Sequence, residues 1–405
     1  MTAMNDIGAL VAVETPATVS ADPSVFDVIV IGAGMAGASV AYWLSRCARV
    51  LVLERESQPG YHTTGRSAAM YLQAYGSAQV RALSLASKVF FQSPPEGFAE
   101  HPLMSPRGAL MVATPAELDL LDAHVALLRE TGVRHERLTP EQACARVPVL
   151  RPEQVGAAVL EPDAADLDVH ALHQGFLRGA KQHGRVVCNA TVTGLCRRDA
   201  AWQVTTSAGT WTAPRVVNAS GAWADEVGLL AGARPIGLLP CRRTAFTFAP
   251  PAGLDVSGWP MVLSAAEAWY FKPDAGVLLA SPANADASFP HDVQPEEWDV
   301  ALGIHRLEEA TTLSIRRPSH TWAGLRSFVA DHCLVGGFDD QVPDFFWLAG
   351  QGGYGIQTAP AMGEACASLV LGHPWPVYLA TVGLKPEMLG PQRLWASGEQ
   401  VSGRA

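Results

Sequence analysis

The sequence contains no long basic stretch, and its formal net charge is −10. Nucleic acid and anionic membrane surfaces are therefore poor partners for it, and the acidity reads as solubility. It contains no CxxC pair. Its seven cysteines, an odd number scattered from Cys47 to Cys366, fit neither a disulfide framework nor a zinc site and read as small buried hydrophobes. The twelve histidines show no metal-ligand spacing. His170 and His173 share a helical stretch without a partner acid, so surface or packing roles are expected and no metal is predicted. No run of about 18 apolar residues occurs, so no transmembrane helix is expected. Residues 1–24 carry no Lys or Arg and one short apolar patch at 9–13. They lack the marks of a secretory signal and read as a flexible tail of a cytoplasmic protein. Internal repeats and low-complexity blocks are missing too. The remaining composition, 48% hydrophobic and 17% charged over 405 residues, suits a globular core of two domains or one interwoven unit.

What the sequence does contain is concentrated at 26–54, FDVIVIGAGMAGASVAYWLSRCARVLVLE. An apolar run (Val28 to Ile31) enters Gly32-Ala33-Gly34-Met35-Ala36-Gly37. A helical pattern follows, then a second apolar run (Val50 to Leu53) ending at Glu54. This is a βαβ unit for the ADP half of a dinucleotide. Gly32 permits the tight turn, Gly34 lets the backbone approach a pyrophosphate, and Gly37 lets helix and strand pack closely. The helix start aims its N–H groups and dipole at the phosphates. Glu54, 17 residues beyond Gly37, is placed to accept from a ribose hydroxyl and disfavours a 2′-phosphate.

Further along, 55–75 reads as a loop leading into a short helix. Helices are predicted at 78–92, 115–131 (opened by Thr114-Pro115), 140–146, 168–183 and 295–310. Strands are predicted at 108–113 and 156–160. Residues 185–188, 190–197, 202–206 and 210–214 read as strands of one meander, and 215–218 as a strand returning to the dinucleotide-binding sheet. From 225 to 320 the pattern is antiparallel. The strand 345–350, the turn Gln351-Gly352-Gly353-Tyr354-Gly355 and the helix 357–370 repeat the opening strand–glycine–helix theme. Both chain ends are thus expected to build one cofactor domain, with a substrate domain laid over it.

Four blocks together resemble the D-amino-acid-oxidase-like family of FAD-dependent amine oxidoreductases: GAGMAGAS with Glu54, the run Gly65-Arg66-Ser67-Ala68-Ala69, VNASGAWAD at 217–225, and WAGLRSF at 322–328 with AGQGGYGIQ at 349–357. The likeness extends from about Phe26 to the C-terminus and is greatest to the bacterial D-arginine dehydrogenases. The resemblance implies an α/β architecture: a Rossmann-like FAD-binding domain (25–75, 155–225 and 325–390) with an interwoven antiparallel α+β substrate domain (76–154 and 226–324). It implies FAD in an extended pose. Gly32 to Gly37 would hold the pyrophosphate, and Glu54 the ribose with Arg55 beside it. Ser67 and Ala68 would lie along the flavin. The turn Gly352, Gly353, Tyr354, Gly355 and Ile356 would present N–H groups to the pyrimidine edge. Noncovalent FAD is expected; Cys333 is the nearest cysteine, but no motif supports attachment.

Taking hydride from an amino acid requires a clamped carboxylate, which suits the planar fork of Arg. Arg326 is the first candidate, with Tyr270 as a second donor. By resemblance Arg243 faces the site, while Arg242, its strand neighbour, points away. Arg316 and Arg317 read as surface charges. Tyr75 resembles a tyrosine on a mobile loop over the site, hinged at Gly76. Where the arginine-preferring relatives carry a carboxylate and a histidine, this chain aligns Ala109 and Met70. An apolar wall follows, and with it neutral or hydrophobic D-amino acids over D-Arg and D-Lys. The expected reaction is FAD-linked oxidative deamination of a D-amino acid, with oxygen, a quinone or another carrier as electron acceptor. Alternatives are a glycine, sarcosine or cyclic secondary amine oxidase, a 2-hydroxy acid dehydrogenase, and, from other classes, an NAD-binding dehydrogenase or a non-catalytic dinucleotide sensor. The oligomeric state stays open.

Overall fold

Unbroken apolar runs form the centre of the molecule. In the computed structural model, which describes residues 22–396, Val28–Ile31 lies inside a six-stranded sheet. The order is Val335–Phe338, Phe345–Ala349, Arg215–Asn218, Val28–Ile31, Val50–Leu53, Gly184–Val187. All neighbours are parallel except the edge pair Val335–Phe338 and Phe345–Ala349. Parallel strands are covered on both faces, which is why they read as continuous rather than alternating hydrophobicity. One face packs on the helices Met35–Leu44 and Ala359–Leu371, the other on the meander Val192–Arg198, Ala201–Thr206, Gly209–Ala213. The tail expected over 1–24 lies, through residue 21, outside the described residues.

The two ends of the chain meet here. Ser39 Oγ donates to Ala359 O at 2.6 Å and Trp43 Nε1 to Pro360 O at 3.1 Å. Gly363 faces Ser39 so closely that a Cβ would lie 2.1 Å from its hydroxyl oxygen.

A second, larger mixed sheet carries Glu136–Leu138, Ala157–Glu161, Ala109–Ala113, Met261–Ser264, Tyr270–Asp274, Val277–Ser281 and Leu239–Phe248, with His320–Phe328 paired to the last. Several sequence expectations are corrected. Residues 185–188 do not join the meander: Gly184–Val187 pairs parallel with Val50–Leu53. The 225–320 segment is not wholly antiparallel, because Met261–Ser264 runs parallel to Ala109–Ala113. Residues 157–161, expected in the cofactor domain, belong to the larger sheet. The helix expected from 115 begins at Leu118, since Thr114 N–H is held by Glu117 Oε2 at 3.0 Å in a turn that precedes it. The short helix expected within 55–75 is one tight turn, Thr63–Arg66, after which the chain passes through an extended Ser67 and a left-handed Ala69 at φ 41° into the strand Met70–Tyr71. Tertiary bonds override the small-residue pattern: Arg66 Nη1 donates to Val293 O and Ala323 O, both at 3.0 Å, and Trp322 Nε1 donates to Arg66 O at 3.1 Å.

Among the described residues no helix is long and apolar enough to cross a membrane.

Candidate active site

The glycine turn has the geometry its sequence demands. Gly32 sits at φ 101°, in the region open to glycine, and a Cβ there would meet Ala219 O at 2.4 Å. At Gly37 a Cβ would lie 1.9 Å from Gly32 O, which excludes any side chain. Gly34 differs: an added Cβ touches only Thr64 Oγ1, at 3.4 Å, so open space lies before it. Glu54 is buried, with Oε2 accepting from Ala33 N–H at 2.9 Å and Oε1 from Glu56 N–H at 3.0 Å. Each carboxylate oxygen keeps capacity for one more donor. Beneath the turn, His173 Nε2–H donates to Ala33 O at 2.8 Å. Burial holds the His173 pKa below its ordinary value.

From this turn a cavity of about 700 Å³ runs between the two sheets. Gly32, Gly34, Met35, Ala36, Glu54, Arg55 and Trp223 line one end. The middle is walled by Ser67, Ala68, Gly352, Tyr354, Gly355 and Ile356. Ala33 and Gly37 are not in its wall; they shape the turn from behind. Three buried polar atoms of wall residues lack any protein partner: Arg243 Nε, Ser327 Oγ and Gln351 Nε2. Unpaired buried donors are costly. Together with the open space before Gly34 they mark a wall shaped for an extended polar molecule. FAD fits that description, with Glu54 at its ribose and the Gly32–Gly37 turn at its pyrophosphate. Cys333 lies outside the wall and contacts Ser77 Oγ at 3.3 Å.

The remaining wall collects Arg326, Arg243, Tyr270, Tyr75, Gly353 and Met70. Arg326 is enclosed by protein, and its accessible surface faces the cavity. Burial opposes its charge, but the hydroxyls of Tyr75, its hydrogen-bond partner, and of Tyr270 keep its pKa above the ordinary value. Arg243 is held below the ordinary value by burial and then by the like charge of Arg326. Among the described residues neither arginine makes an ion pair. Arg242 shows the contrast that strand alternation requires: it turns to the other face, where Nε donates to Asp299 Oδ2 at 2.8 Å. Gly353 is there for space, because a Cβ would stand 2.8 Å from Arg326 Nη1. Tyr75 packs edge-on against Tyr354, with ring centroids 5.0 Å apart. Tyr354 is pushed up to about 12 by burial and by Tyr75, so it stays protonated at neutral pH. Arg316 and Arg317 are exposed.

Ala109, expected in the pocket, does not line it; it is buried in its strand between Glu161 and Met261. Instead Met111, Met261, Leu263, His124 and Glu161 reach the cavity. Glu161 escaped the sequence reading because the predicted strand stops at 160, and His124 because nothing local marks it. The signal available was alternation: one more residue of strand puts Glu161 on the face of Ala157 and Val159. Ser327 and Gln351 were likewise visible only as neighbours of Arg326 and Gly352.

Comparison with known proteins places this geometry in context. Residues 27–369 match the family model of the FAD dependent oxidoreductases (DAO). The chain belongs to that family. A relative in Bos taurus, FAD-dependent oxidoreductase domain-containing protein 1, is 27% identical over 421 aligned positions covering 90% of this chain and 84% of its own. Among solved structures, glycine oxidase from Geobacillus kaustophilus shares the fold at TM-score 0.76 and 22% identity, covering 87% of this chain and 97% of its own. L-proline dehydrogenase from P. horikoshii does so at 0.77 and 22%, covering 94% and 100%. The mixed α/β architecture and FAD as cofactor are thereby established.

Proposed function

We propose that this flavoprotein oxidises the Cα–N bond of an amino acid, in the first instance a D-amino acid, to the imino acid, which water hydrolyses to a 2-oxo acid and ammonia. One observation carries the reading: two arginines and two tyrosines converge on the cavity, and among the described residues neither guanidinium makes an ion pair with a carboxylate of the protein. A buried cation without a partner is expensive, so the site is complementary to a ligand carboxylate.

In this reading Arg326 takes the carboxylate bidentately. Tyr75 and Tyr270 donate to its free lone pairs, and Arg243 adds its charge. The clamp fixes which face of Cα is presented, and orientation of this kind supplies much of the rate. FAD, when bound, accepts the two electrons and the hydrogen lost from Cα. The amine gives up its proton to water, since no side chain beside the clamp is a ready base. An external oxidant, oxygen or a quinone, must then take the electrons. The apolar-wall argument for neutral substrates weakens, because Ala109 is not in the wall. Secondary amines such as sarcosine or proline form the second reading, favoured by the fold shared with L-proline dehydrogenase.

The test is anaerobic mixing of the yellow holoprotein with a panel of D-, L- and N-methyl amino acids. A D-amino acid that bleaches the flavin and yields ammonia and 2-oxo acid one-to-one is expected. Bleaching by N-methyl or cyclic amines alone would transfer the reading to secondary amines.

A further inference from the structure

The end of the cavity away from the glycine turn holds a polar pair that the carboxylate clamp does not use. His124, on the helix Leu118–Glu130, has Nε2 3.0 Å from Glu161 Oε1, at the end of the strand Ala157–Glu161. Both line the cavity beside Met111, Leu127 and Met261. Glu161 is 8% exposed, and its second oxygen has no protein partner among the described residues. Glu54 and Glu226 also line the cavity, Glu54 at the glycine-turn end, and Glu267 is exposed at a hairpin tip on the arginine side, where its charge helps to sustain Arg243.

Sheet register sets the spacing. Tyr270 is opposite Leu263, Leu263 opposite Met111, and Met111 opposite Val159, with Glu161 two residues further on the same face. Three strand steps at roughly 4.8 Å each, with two residues along the strand at roughly 3.3 Å each, give a Cα separation from Tyr270 to Glu161 of roughly 16 Å. A ligand held at Tyr270 and Arg326 therefore reaches Glu161 only through a long side chain. An ionised carboxylate accepts and never donates. In a mostly buried wall with one partner, it is satisfied best by a group bringing both charge and N–H donors.

We propose that Glu161, positioned by His124, is a second recognition site that receives the cationic end of the substrate's side chain, an ω-ammonium or guanidinium. The proposal rests on the amino-acid reading above and replaces its apolar preference. The clamp binds one end of the substrate and Glu161 the other, so the substrate is a basic amino acid read at both ends.

The experiment compares kcat/KM for lysine, arginine, glutamine, norleucine and alanine, in whichever enantiomer bleaches the flavin, with wild type, Glu161→Gln and His124→Gln. Lysine or arginine is expected to lead norleucine by at least ten-fold. Glu161→Gln is expected to cost the basic substrates about 100-fold while leaving alanine, too short to reach, within two-fold. His124→Gln, which leaves the carboxylate but not its orientation, is expected to fall between. Alanine turnover and flavin content report folding; should Glu161→Gln fold poorly, His124→Gln and the wild-type preference decide alone. Norleucine equal to or better than lysine, or glutamine faster than both basic substrates, overturns the proposal while the amino-acid reading stands. Bleaching by no amino acid at all overturns that reading itself.

Discussion

At the residue scale the proposed site is an arrangement of charges that a ligand carboxylate would complete. Arg326 is the residue on which the most depends, and Gly353 is what lets it stand where it does. Gly353→Ala is expected to push Arg326 aside, raising KM and lowering kcat/KM about ten-fold, with flavin content unchanged; steady-state kinetics and the absorbance ratio check this. Tyr75→Phe removes one donor and is expected to cost about ten-fold in kcat/KM by the same assay. His173 yields a pH effect. Its folded-state pKa is lowered by burial, so the neutral ring contributes stability above about pH 6.5, and that stability is lost as pH falls through the folded value. The unfolding temperature is expected to fall more steeply from pH 7 to 5 in wild type than in His173→Gln. At this scale the sequence was readable where a residue has a unique talent, as in the glycines of 32–37 and the fork of Arg326. Glu161 was missed because the predicted strand stops one residue short of it, and Ala109, its cross-strand partner on the same face, is too short to reach the cavity that Glu161 and Met261 line.

At the element scale, continuous apolar runs made the parallel strands easy to place, and the capping box of Thr139 with Gln142 fixes the helix Pro140–Arg146 where the sequence puts it. Elements governed by tertiary bonds were harder. The Ser67-Ala68-Ala69 segment reads as a helix start, yet Arg66 and Trp322 tie the preceding turn down and the chain leaves it extended. Close helix packing provides a sharp check. Gly363→Ala drives a methyl into Ser39 and is expected to destabilise by about 1–3 kcal/mol, read by urea denaturation of the holoprotein. The larger insult, Gly37→Ala against the Gly32 carbonyl, is expected also to strip the flavin, read as loss of yellow colour on gel filtration.

At the scale of the whole molecule, sequence repetition at the two ends, a strand and glycine turn each time, announced that head and tail share one layer. The interleaving of the second sheet was not announced. Ala109–Ala113 lies parallel to Met261–Ser264, and no local periodicity encodes a partner so distant in sequence. That pairing, with the antiparallel strand Ala157–Glu161 beside it, puts Met261 and Glu161 in the cavity wall, so the least legible feature of the fold is the one on which the proposed second recognition site depends. The central claim, that this cavity holds a substrate by its carboxylate over a flavin, is tested most directly by anaerobic bleaching of wild type and Arg326→Met with an amino acid and with the matching amine lacking a carboxylate. The account predicts that wild type is bleached by the amino acid alone and that Arg326→Met, still yellow, is bleached slowly by both. Equal bleaching of wild type by the carboxylate-free amine would contradict it.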